Sequence, residues 1–287
     1  MILRSLLVSC RPRQWIKNLL VLVPLVTSVS FRSPGAIERS LLAAAAFTLI
    51  ASAVYLLNDL ADRRHDRLHP AKKSRPIASG ILPVSQAACA AIVLAAAATA
   101  LAFFLGWKVL LAIAGYALFN VAYSMGLRHE PVLDVLLVSS GFVLRPVAGA
   151  YAIPVRVSAW LFVVSLLLSL SLALLKRRAE LVGLESAAVD HRPSLGGYSL
   201  AFLDQLIAIV TGAGIISYAL YTFQSVHGDS LVLTLPFFLY GVFRYLYLVY
   251  EKGAGASPEE IFLHDRPLQL DALLYIGTMV AILAANG

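Results

Sequence analysis

Long apolar runs dominate this sequence and limit what it can fold into. Each run holds about 17 to 23 residues, close to the roughly 20 that an α-helix needs to cross the hydrocarbon core of a bilayer. Short polar or charged segments separate nine such runs, so we predict nine transmembrane helices. The predicted spans cover about 16–32, 38–57, 84–105, 108–125, 132–153, 158–175, 200–222, 231–250 and 268–285.

The composition excludes a soluble domain. Of the 287 residues, 60% are hydrophobic and 14% are charged, whereas soluble domains average about 25% charged residues. We therefore expect an all-α polytopic membrane protein, with one domain over residues 1–287 and its helices in one bundle. The net charge of +7 does not indicate a nucleic-acid partner, because the bases lie between the spans and not in a basic domain of their own.

The bases are distributed unevenly between the two sides of the predicted membrane. Seventeen lysines and arginines lie on the side where the second span ends, and four lie on the opposite side. Cytoplasmic loops carry such an excess of positive charge. We therefore expect an integral protein of the bacterial inner membrane, with the N-terminus and the polar loops in the cytosol and the C-terminus outside.

A group of oxygen-bearing side chains follows the second span. Asn58, Asp59, Asp62 and Asp66 fall within roughly a 100° arc if the chain is helical there. Carboxylates on one face repel one another unless a cation lies between them, and Mg²⁺ prefers such ligands together with substrate phosphates. We therefore predict that these four residues bind Mg²⁺ and a diphosphate. The alternative is a solvated helix end with local Asp–Arg pairs.

Arg145 lies near the middle of the fifth span. An arginine at a helix centre costs roughly 2.5–3.5 kcal/mol on insertion scales, so it should face a cavity or a partner. We predict that Arg145 holds a phosphate or pyrophosphate, and that Pro146 and Gly149 break or kink the helix there. The alternative is pairing with a buried acid such as Asp134, although three helical turns separate the two.

Other polar residues are predicted to lie at the same membrane border as the acidic group. The segment 176–180 ends the sixth span with three bases and one acid, and the segment 123–134 flanks a short turn. Singly, such residues are more often interface anchors or positive-inside caps than ligands. The candidate substrate-binding residues are Lys17, Asn58, Tyr123, Arg128, Asp134, Lys176, Arg177 and Glu180.

A capping box follows the eighth span. Ser257 suits the N-cap, Pro258 the first helical position and Glu260 the third, which predicts a short helix from 258 to about 264–267.

Taken with nine spans, the pattern Asn58-Asp59-x-x-Asp62-x-x-x-Asp66 resembles the UbiA superfamily of intramembrane prenyltransferases. The second motif of that superfamily is usually rich in Asp, whereas segment 176–180 here has one acid and three bases. With this difference, the chain resembles one branch of the superfamily, the decaprenyl-phosphate phosphoribosyltransferases. The segments that resemble this branch are 11–18, 123–134, 142–145 and 258–267.

This resemblance implies Mg²⁺-dependent transfer of 5-phosphoribose from phosphoribosyl pyrophosphate to a polyprenyl phosphate. It implies catalytic roles for Asp59, Asp62, Asp66 and Arg145. The alternative is a conventional prenyltransferase that moves a polyprenyl group from its diphosphate to an aromatic acceptor. A small-anion transporter is disfavoured, because the sequence has no inverted repeat and its polar groups gather on one side.

Overall fold

The computed structural model describes residues 2–69, 72–184, 193–224, 228–255 and 258–286. Within these ranges the chain is helical and contains no β-strand, which confirms the predicted all-α class. The chain falls into two compact units, Met1–Ser124 with Leu144–Arg156, and Met125–Val143 with Val157–Gly287. The prediction of a single domain stays a prediction.

The first unit is built mainly from three long helices. Helix α3 packs closely against α5, and alanines from both are buried at 0% exposure, among them Ala43, Ala46, Ala98 and Ala102. Small side chains let helix backbones approach closely inside a membrane. The helices are α1 (Ile2–Ser9), α2 (Val23–Thr27), α3 (Pro34–Ala61), α4 (Arg63–Leu68), α5 (Val84–Leu105) and α6 (Trp107–Ser124), and α7 (Leu133–Ala152) contributes its second half.

Arg39 on α3 forms hydrogen bonds to α5 and α7 at the end of α3 opposite to the acidic residues. Its Nε donates to the carbonyl of Ala152 at 2.5 Å, and its Nη2 donates to the carbonyl of Leu105 at 2.7 Å. Both carbonyls lie at helix C-termini, where intrahelical partners are missing. A guanidinium there satisfies the carbonyls and complements the helix dipoles.

The second unit contains the remaining long helices. Helices α8 and α9 pack along their length, and Ser171 and Thr211 form a hydrogen bond between them at 2.6 Å. The buried core includes Leu174, Leu203 and Tyr245. The helices are α8 (Ala159–Leu184), α9 (Leu200–Gln224), α10 (Leu235–Tyr250), α11 (Pro258–His264) and α12 (Arg266–Asn286).

Eight helices in the described ranges are long and apolar enough to cross a membrane, and they match predicted spans two to nine. The first predicted span, 16–32, folds differently. It contains a 3₁₀ helix (Pro12–Leu22), α2 and a 3₁₀ turn (Ser30–Arg32). Pro24 has no amide to give to the carbonyl of Leu20, which accepts the amide of Val23 instead. A ninth span therefore stays a prediction.

Two helix ends and one predicted helix break differ from the sequence prediction. Helix α3 continues to Ala61 and α8 to Leu184, so the polar motifs begin on helices and not after them. Helix α7 runs through Pro146 without the predicted break, because a proline removes one hydrogen bond that neighbouring helices can compensate in a membrane. The short helix Pro258–His264 is confirmed, and Ser257, its predicted N-cap, lies outside the described residues.

Candidate active site

The first polar motif lies where α3 passes into α4. Asn58 and Asp59 belong to the last turn of α3, Asp62 follows it, and Asp66 lies in α4. The amide of Asp62 donates to the carbonyl of Asn58, and the amide of Asp66 donates to the carbonyl of Asp62, both at 2.9 Å. Helical hydrogen bonds therefore continue on both sides of Asp62, which preserves the predicted spacing of the four residues.

Two of the carboxylates in this motif are buried and share one arginine. Asp59 and Asp66 are each 3% exposed. The Nη1 atom of Arg75 donates to Asp59 Oδ1 at 3.0 Å and to Asp66 Oδ2 at 2.8 Å. Arg11 also donates, from Nη2 to Asp59 Oδ1 at 2.5 Å. Because both oxygens contact the same nitrogen atom, one cation can serve both carboxylates.

The donor set at this motif fits a hard divalent ion. Mg²⁺ typically takes one or two carboxylates and completes its shell with waters and substrate phosphates, and Asp59 and Asp66 supply such a pair. Their charge is balanced here by Arg75 and Arg11. Among the residues that the structure describes, no three His, Cys, Asp or Glu side chains form a group that could hold a metal ion. Because Arg75 contacts both Asp59 and Asp66, a metal ion would compete with its guanidinium for these carboxylate oxygens.

Asn58 is held by a neighbouring helix of the same unit. Its Oδ1 accepts a hydrogen bond at 2.8 Å from the hydroxyl of Ser124, the last residue of α6. This contact fixes which way the amide points. Asn58 is partly exposed, as is Asp62, so both side chains can be reached from outside the helix ends.

Arg145 is buried in the first unit at 3% exposure. Its Nε donates to Asn18 Oδ1 at 2.9 Å, and its Nη2 lies 3.5 Å from the hydroxyl of Tyr116. Its guanidinium carbon lies 5.0 Å from the centre of the Tyr116 ring. Asn18 is also buried, and its Nδ2 donates to Thr48 Oγ1 at 3.0 Å. These contacts position the arginine among neutral polar and aromatic groups.

The second polar motif forms a buried network in the second unit. Arg177 Nε donates to Asp134 Oδ2 at 2.7 Å, and Arg177 Nη1 donates to Glu180 Oε2 at 2.9 Å. Asp134 is 0% exposed and Arg177 is 3% exposed. The predicted alternative partner of Arg145, Asp134, is thus an ion-pair partner of Arg177.

Tyr198 completes this network. Its hydroxyl donates to Asp134 Oδ1 at 2.7 Å and accepts a hydrogen bond from the amide of Val132 at 2.5 Å. Val132 has a φ of 68°, which is costly for a β-branched residue. Burial raises the pKa of the Tyr198 hydroxyl, and the adjacent Asp134 raises it further. The tyrosine therefore stays protonated and holds the strained turn in place.

The second unit carries two further ion pairs, one between α10 and the residue before α12 and one between α8 and α9. Arg244 contacts both oxygens of Asp265, at 2.8 and 3.2 Å, and Asp265 Oδ1 accepts the amide of Leu268 at 2.9 Å, which caps α12. Arg178 Nε donates to Asp204 at 2.7 Å. These pairs stabilise the polar end of the second unit.

The remaining predicted site residues lie at the surface of their units. Lys17 contacts Gln14 within the first 3₁₀ helix, and Tyr123 and Lys176 are partly exposed on α6 and α8. Arg128 Nε lies 3.3 Å from His129 Nε2. The structure thus brings Asp59 and Asp66 together, and separately Asp134, Arg177 and Glu180.

Four residues of these clusters were not among the predicted site residues, namely Arg11, Asn18, Arg75 and Tyr198. Arg11 and Arg75 are single members of base-rich segments, and their spacing does not distinguish them from neighbours that face solvent. Tyr198 is 64 residues from Asp134, so no local pattern joins the two. Arg11 and Asn18 both lie within segment 11–18, which resembles the phosphoribosyltransferase branch, and this resemblance was the available signal for the two residues.

Comparison with known proteins gives consistent matches over almost the whole chain. The family model described as UbiA prenyltransferase family matches residues 21–264. The decaprenyl-phosphate phosphoribosyltransferase of Mycolicibacterium smegmatis is 35% identical, over 96% of this chain and 92% of that protein. The protein of the same name from Corynebacterium glutamicum is 37% identical, over 95% of this chain and 84% of that protein.

A solved structure shows the same fold. The UbiA homologue from Archaeoglobus fulgidus bound to GPP and Mg²⁺ superimposes with a TM-score of 0.76 at 19% identity, covering 98% of this chain and 99% of that chain.

Proposed function

Because the chain belongs to the UbiA prenyltransferase family, we propose that it transfers 5-phosphoribose from phosphoribosyl pyrophosphate to a polyprenyl phosphate and releases pyrophosphate. The observation that carries the proposal is the similarity of 35–37% identity over nearly the whole chain to proteins named decaprenyl-phosphate phosphoribosyltransferase. The chain is accordingly an integral membrane enzyme.

The second polar motif supports this donor over a prenyl diphosphate. A conventional prenyltransferase of the superfamily is expected to carry a second cluster of Asp residues, whereas Lys176, Arg177 and Arg178 occupy this segment here. Phosphoribosyl pyrophosphate carries a 5-phosphate in addition to its pyrophosphate, and the lipid acceptor is an anion as well. Such a substrate pair needs more cationic ligands than a prenyl diphosphate and a phenol do.

The acidic motif supports a divalent ion, which we propose is Mg²⁺. Asn58, Asp59, Asp62 and Asp66 are the residues that would hold it, because hard oxygen ligands suit this ion. A bound Mg²⁺ would supply charge neutralisation to the departing pyrophosphate. Related structures that contain Mg²⁺ with a diphosphate substrate are consistent with this assignment.

The basic residues at the acidic motif would then bind phosphate oxygens. Arg75 and Arg11 neutralise Asp59 and Asp66 in this structure, and a cation that takes over those carboxylates leaves both guanidinium groups without their acidic partners. Guanidinium groups bind phosphates through two parallel hydrogen bonds. Both arginines are therefore placed to bind the pyrophosphate of the donor.

The proposed reaction forms one bond and breaks one bond at C1 of the ribose. The bond from C1 to the pyrophosphate oxygen breaks, and an oxygen of the polyprenyl phosphate forms the new bond to C1. The lipid phosphate is already anionic, so the enzyme needs no strong base. Within the first unit, Arg145 and Lys17 are candidates to orient the anionic groups. Lys176 and Arg177 of the second unit stay predicted substrate-binding residues, and Arg177 is already paired with Asp134 and Glu180.

The distribution of basic residues supports a cytosolic position for this chemistry. Seventeen bases against four favour a position of the polar motifs on the inner side of the bacterial cytoplasmic membrane. Phosphoribosyl pyrophosphate is a soluble anion that would approach from this side, while the polyprenyl chain of the acceptor would remain in the bilayer.

Donor discrimination tests the proposal. Purified protein is given Mg²⁺ and ¹⁴C-labelled phosphoribosyl pyrophosphate, with and without polyprenyl phosphate, and in parallel a labelled polyprenyl diphosphate with an aromatic acid. We expect label from phosphoribosyl pyrophosphate to enter the organic phase only with the lipid acceptor and not in the presence of EDTA, and we expect no labelled prenylated aromatic acid from the second donor. Prenylation of the aromatic acid, with no ribosyl transfer, would instead make the chain a conventional prenyltransferase.

A further inference from the structure

A cavity of about 220 Å³ lies within the second unit, between helices α8, α10, α11 and α12. Its lining is almost entirely aliphatic and aromatic. The polar exceptions are Ser171, Tyr245, Asp271 and Tyr275. We call it the Asp271 cavity. It contains none of the residues assigned to the proposed reaction.

Asp271 is the unusual member of this lining. It lies in α12, five residues from the start of that helix, and is 8% exposed. It makes no hydrogen bond or ion pair with any residue in the described part of the chain. An ionisable side chain inside a membrane helix usually has a functional partner, because burying an unpaired charge is costly.

Gly241 on α10 makes room for this carboxylate. A Cβ atom at position 241 would lie 2.9 Å from Asp271 Oδ2, closer than the two atoms can approach. The carboxylate oxygen therefore lies directly over the backbone of α10 at Gly241, and a larger residue there would displace the Asp271 side chain. The cavity is shaped around the carboxylate.

Two of the other polar groups of the cavity have hydrogen-bond partners outside it. Ser171 shares a hydrogen bond with Thr211 at 2.6 Å, and Tyr275 is hydrogen-bonded to Tyr218. Their hydroxyl groups thus have partners elsewhere in the unit. Asp271 supplies the carboxylate of the lining that can pair with an occupant.

Aromatic rings surround the same space. Phe238, Tyr245, Phe262 and Tyr275 all line the cavity, and the rings of Tyr245 and Phe262 stack with their centres 5.9 Å apart. Aromatic faces attract cations, and cages of several rings are a known way to bind ammonium groups. A carboxylate beside such rings adds the opposite charge.

We propose that the Asp271 cavity binds an organic ammonium group. An anion would be repelled by Asp271, and an uncharged apolar group would leave the carboxylate without a partner. The volume is below the roughly 300–1,000 Å³ of pockets that take drug-sized ligands, so the occupant is the size of a head group. The ammonium can come from a membrane lipid or from a free amine.

The test compares an ammonium ion with its uncharged counterpart. Binding of choline and of 3,3-dimethylbutan-1-ol, in which carbon replaces the charged nitrogen, is measured by calorimetry on the full-length protein in dodecyl maltoside. We expect choline to bind at least about tenfold more tightly than the alcohol. Equal binding of the two, or no binding of choline, would overturn the proposal.

Two variants show whether Asp271 is responsible. Asp271→Asn keeps the shape of the side chain and is expected to lower choline affinity at least about tenfold. Asp204→Asn removes a carboxylate of the same unit that lies outside this cavity, and is expected to leave choline affinity within about twofold. Unchanged affinity in Asp271→Asn overturns the proposal, and thermal unfolding of each variant verifies that it is folded.

A second comparison identifies the source of the ammonium. Displacement of bound choline by dihexanoylphosphatidylcholine, with none by dihexanoylphosphatidylglycerol, indicates a lipid head group. If neither phospholipid displaces choline, the occupant is a free amine. Competition by both phospholipids to the same degree shows that the cavity recognises acyl chains, which contradicts the proposal.

Discussion

Asp66 and Arg75, nine residues apart in the chain, form an ion pair at 2.8 Å through the same nitrogen atom that binds Asp59 at 3.0 Å. One guanidinium thus contacts two buried carboxylates of the acidic motif, and Arg11 supplies the second positive charge. This arrangement keeps together two side chains that would otherwise repel each other. It also means that a metal ion at the motif has to replace an existing cation.

We expect Arg75→Ala to change the metal affinity and the stability of the protein in opposite directions. Removing the competing cation should tighten Mn²⁺ binding, measured by electron paramagnetic resonance without substrate. Asp66 then loses its cation while Asp59 keeps Arg11, so the metal-free variant should lose about 1–3 kcal/mol of stability. Arg75→Lys keeps the charge and is the control. Its Mn²⁺ affinity and its stability should lie between those of wild type and those of Arg75→Ala. Mn²⁺ affinity equal to wild type in Arg75→Ala would show that the guanidinium does not compete with metal.

Asp62→Asn tests the acidic motif without touching the pair with Arg75. Asp62 lies between α3 and α4 and is partly exposed, so an amide of the same shape should leave the fold intact. Loss of one carboxylate ligand is expected to lower turnover at least about 100-fold. Activity is measured at saturating Mg²⁺, with Asp204→Asn as a control that retains activity. Undiminished turnover would remove Asp62 from the metal site.

Arg145→Lys tests whether the buried guanidinium binds substrate. Lysine keeps the charge but cannot reproduce both the contact with Asn18 and the contact with Tyr116. We expect KM for the donor or the lipid phosphate to rise about tenfold, while size-exclusion behaviour and thermal unfolding show a folded protein. Kinetic constants equal to wild type, together with a lowered unfolding temperature, would make Arg145 a structural residue only.

The pair of Arg244 and Asp265 predicts how stability depends on pH. Hydrogen bonds from Arg244 hold the pKa of Asp265 below its ordinary value of 3.8. A carboxyl group whose pKa is lowered by folding stabilises the protein above its unfolded pKa, and this stability is lost as pH falls through the folded pKa. Asp265→Asn retains a side chain that can cap α12 but removes the charge. We therefore expect it to be less stable than wild type at pH 7, and we expect this difference to shrink as the pH falls below 3.8. A difference that does not vary with pH would contradict this account.

The sequence predicts the long helices well because membrane spans are determined by length and hydrophobicity, which are local properties. Spans two to nine are confirmed by the structure. The first predicted span is harder, because Pro24 and a 3₁₀ helix alter the backbone without changing the hydrophobicity of the segment. Hydropathy does not distinguish an α-helix from a 3₁₀ helix.

The candidate site is predictable only where its residues are close in sequence. Asn58, Asp59, Asp62 and Asp66 are recognised by helical spacing, which the structure retains. The partners of these acids are not, because Arg11 reaches Asp59 across 48 residues. The link from Tyr198 to Asp134 spans 64 residues of sequence. Pairings of this kind depend on how helices pack, and one sequence read alone does not contain them.

The lipid product tests the central claim most directly. Purified protein is incubated with phosphoribosyl pyrophosphate, Mg²⁺ and decaprenyl phosphate, the lipids are extracted and analysed by mass spectrometry, and free pyrophosphate is measured in the aqueous phase. We predict a lipid heavier by one phosphoribosyl group and one pyrophosphate released for each lipid converted. Unchanged decaprenyl phosphate in the presence of active, folded protein, or a product that carries a prenyl group on an aromatic acceptor, would contradict the account.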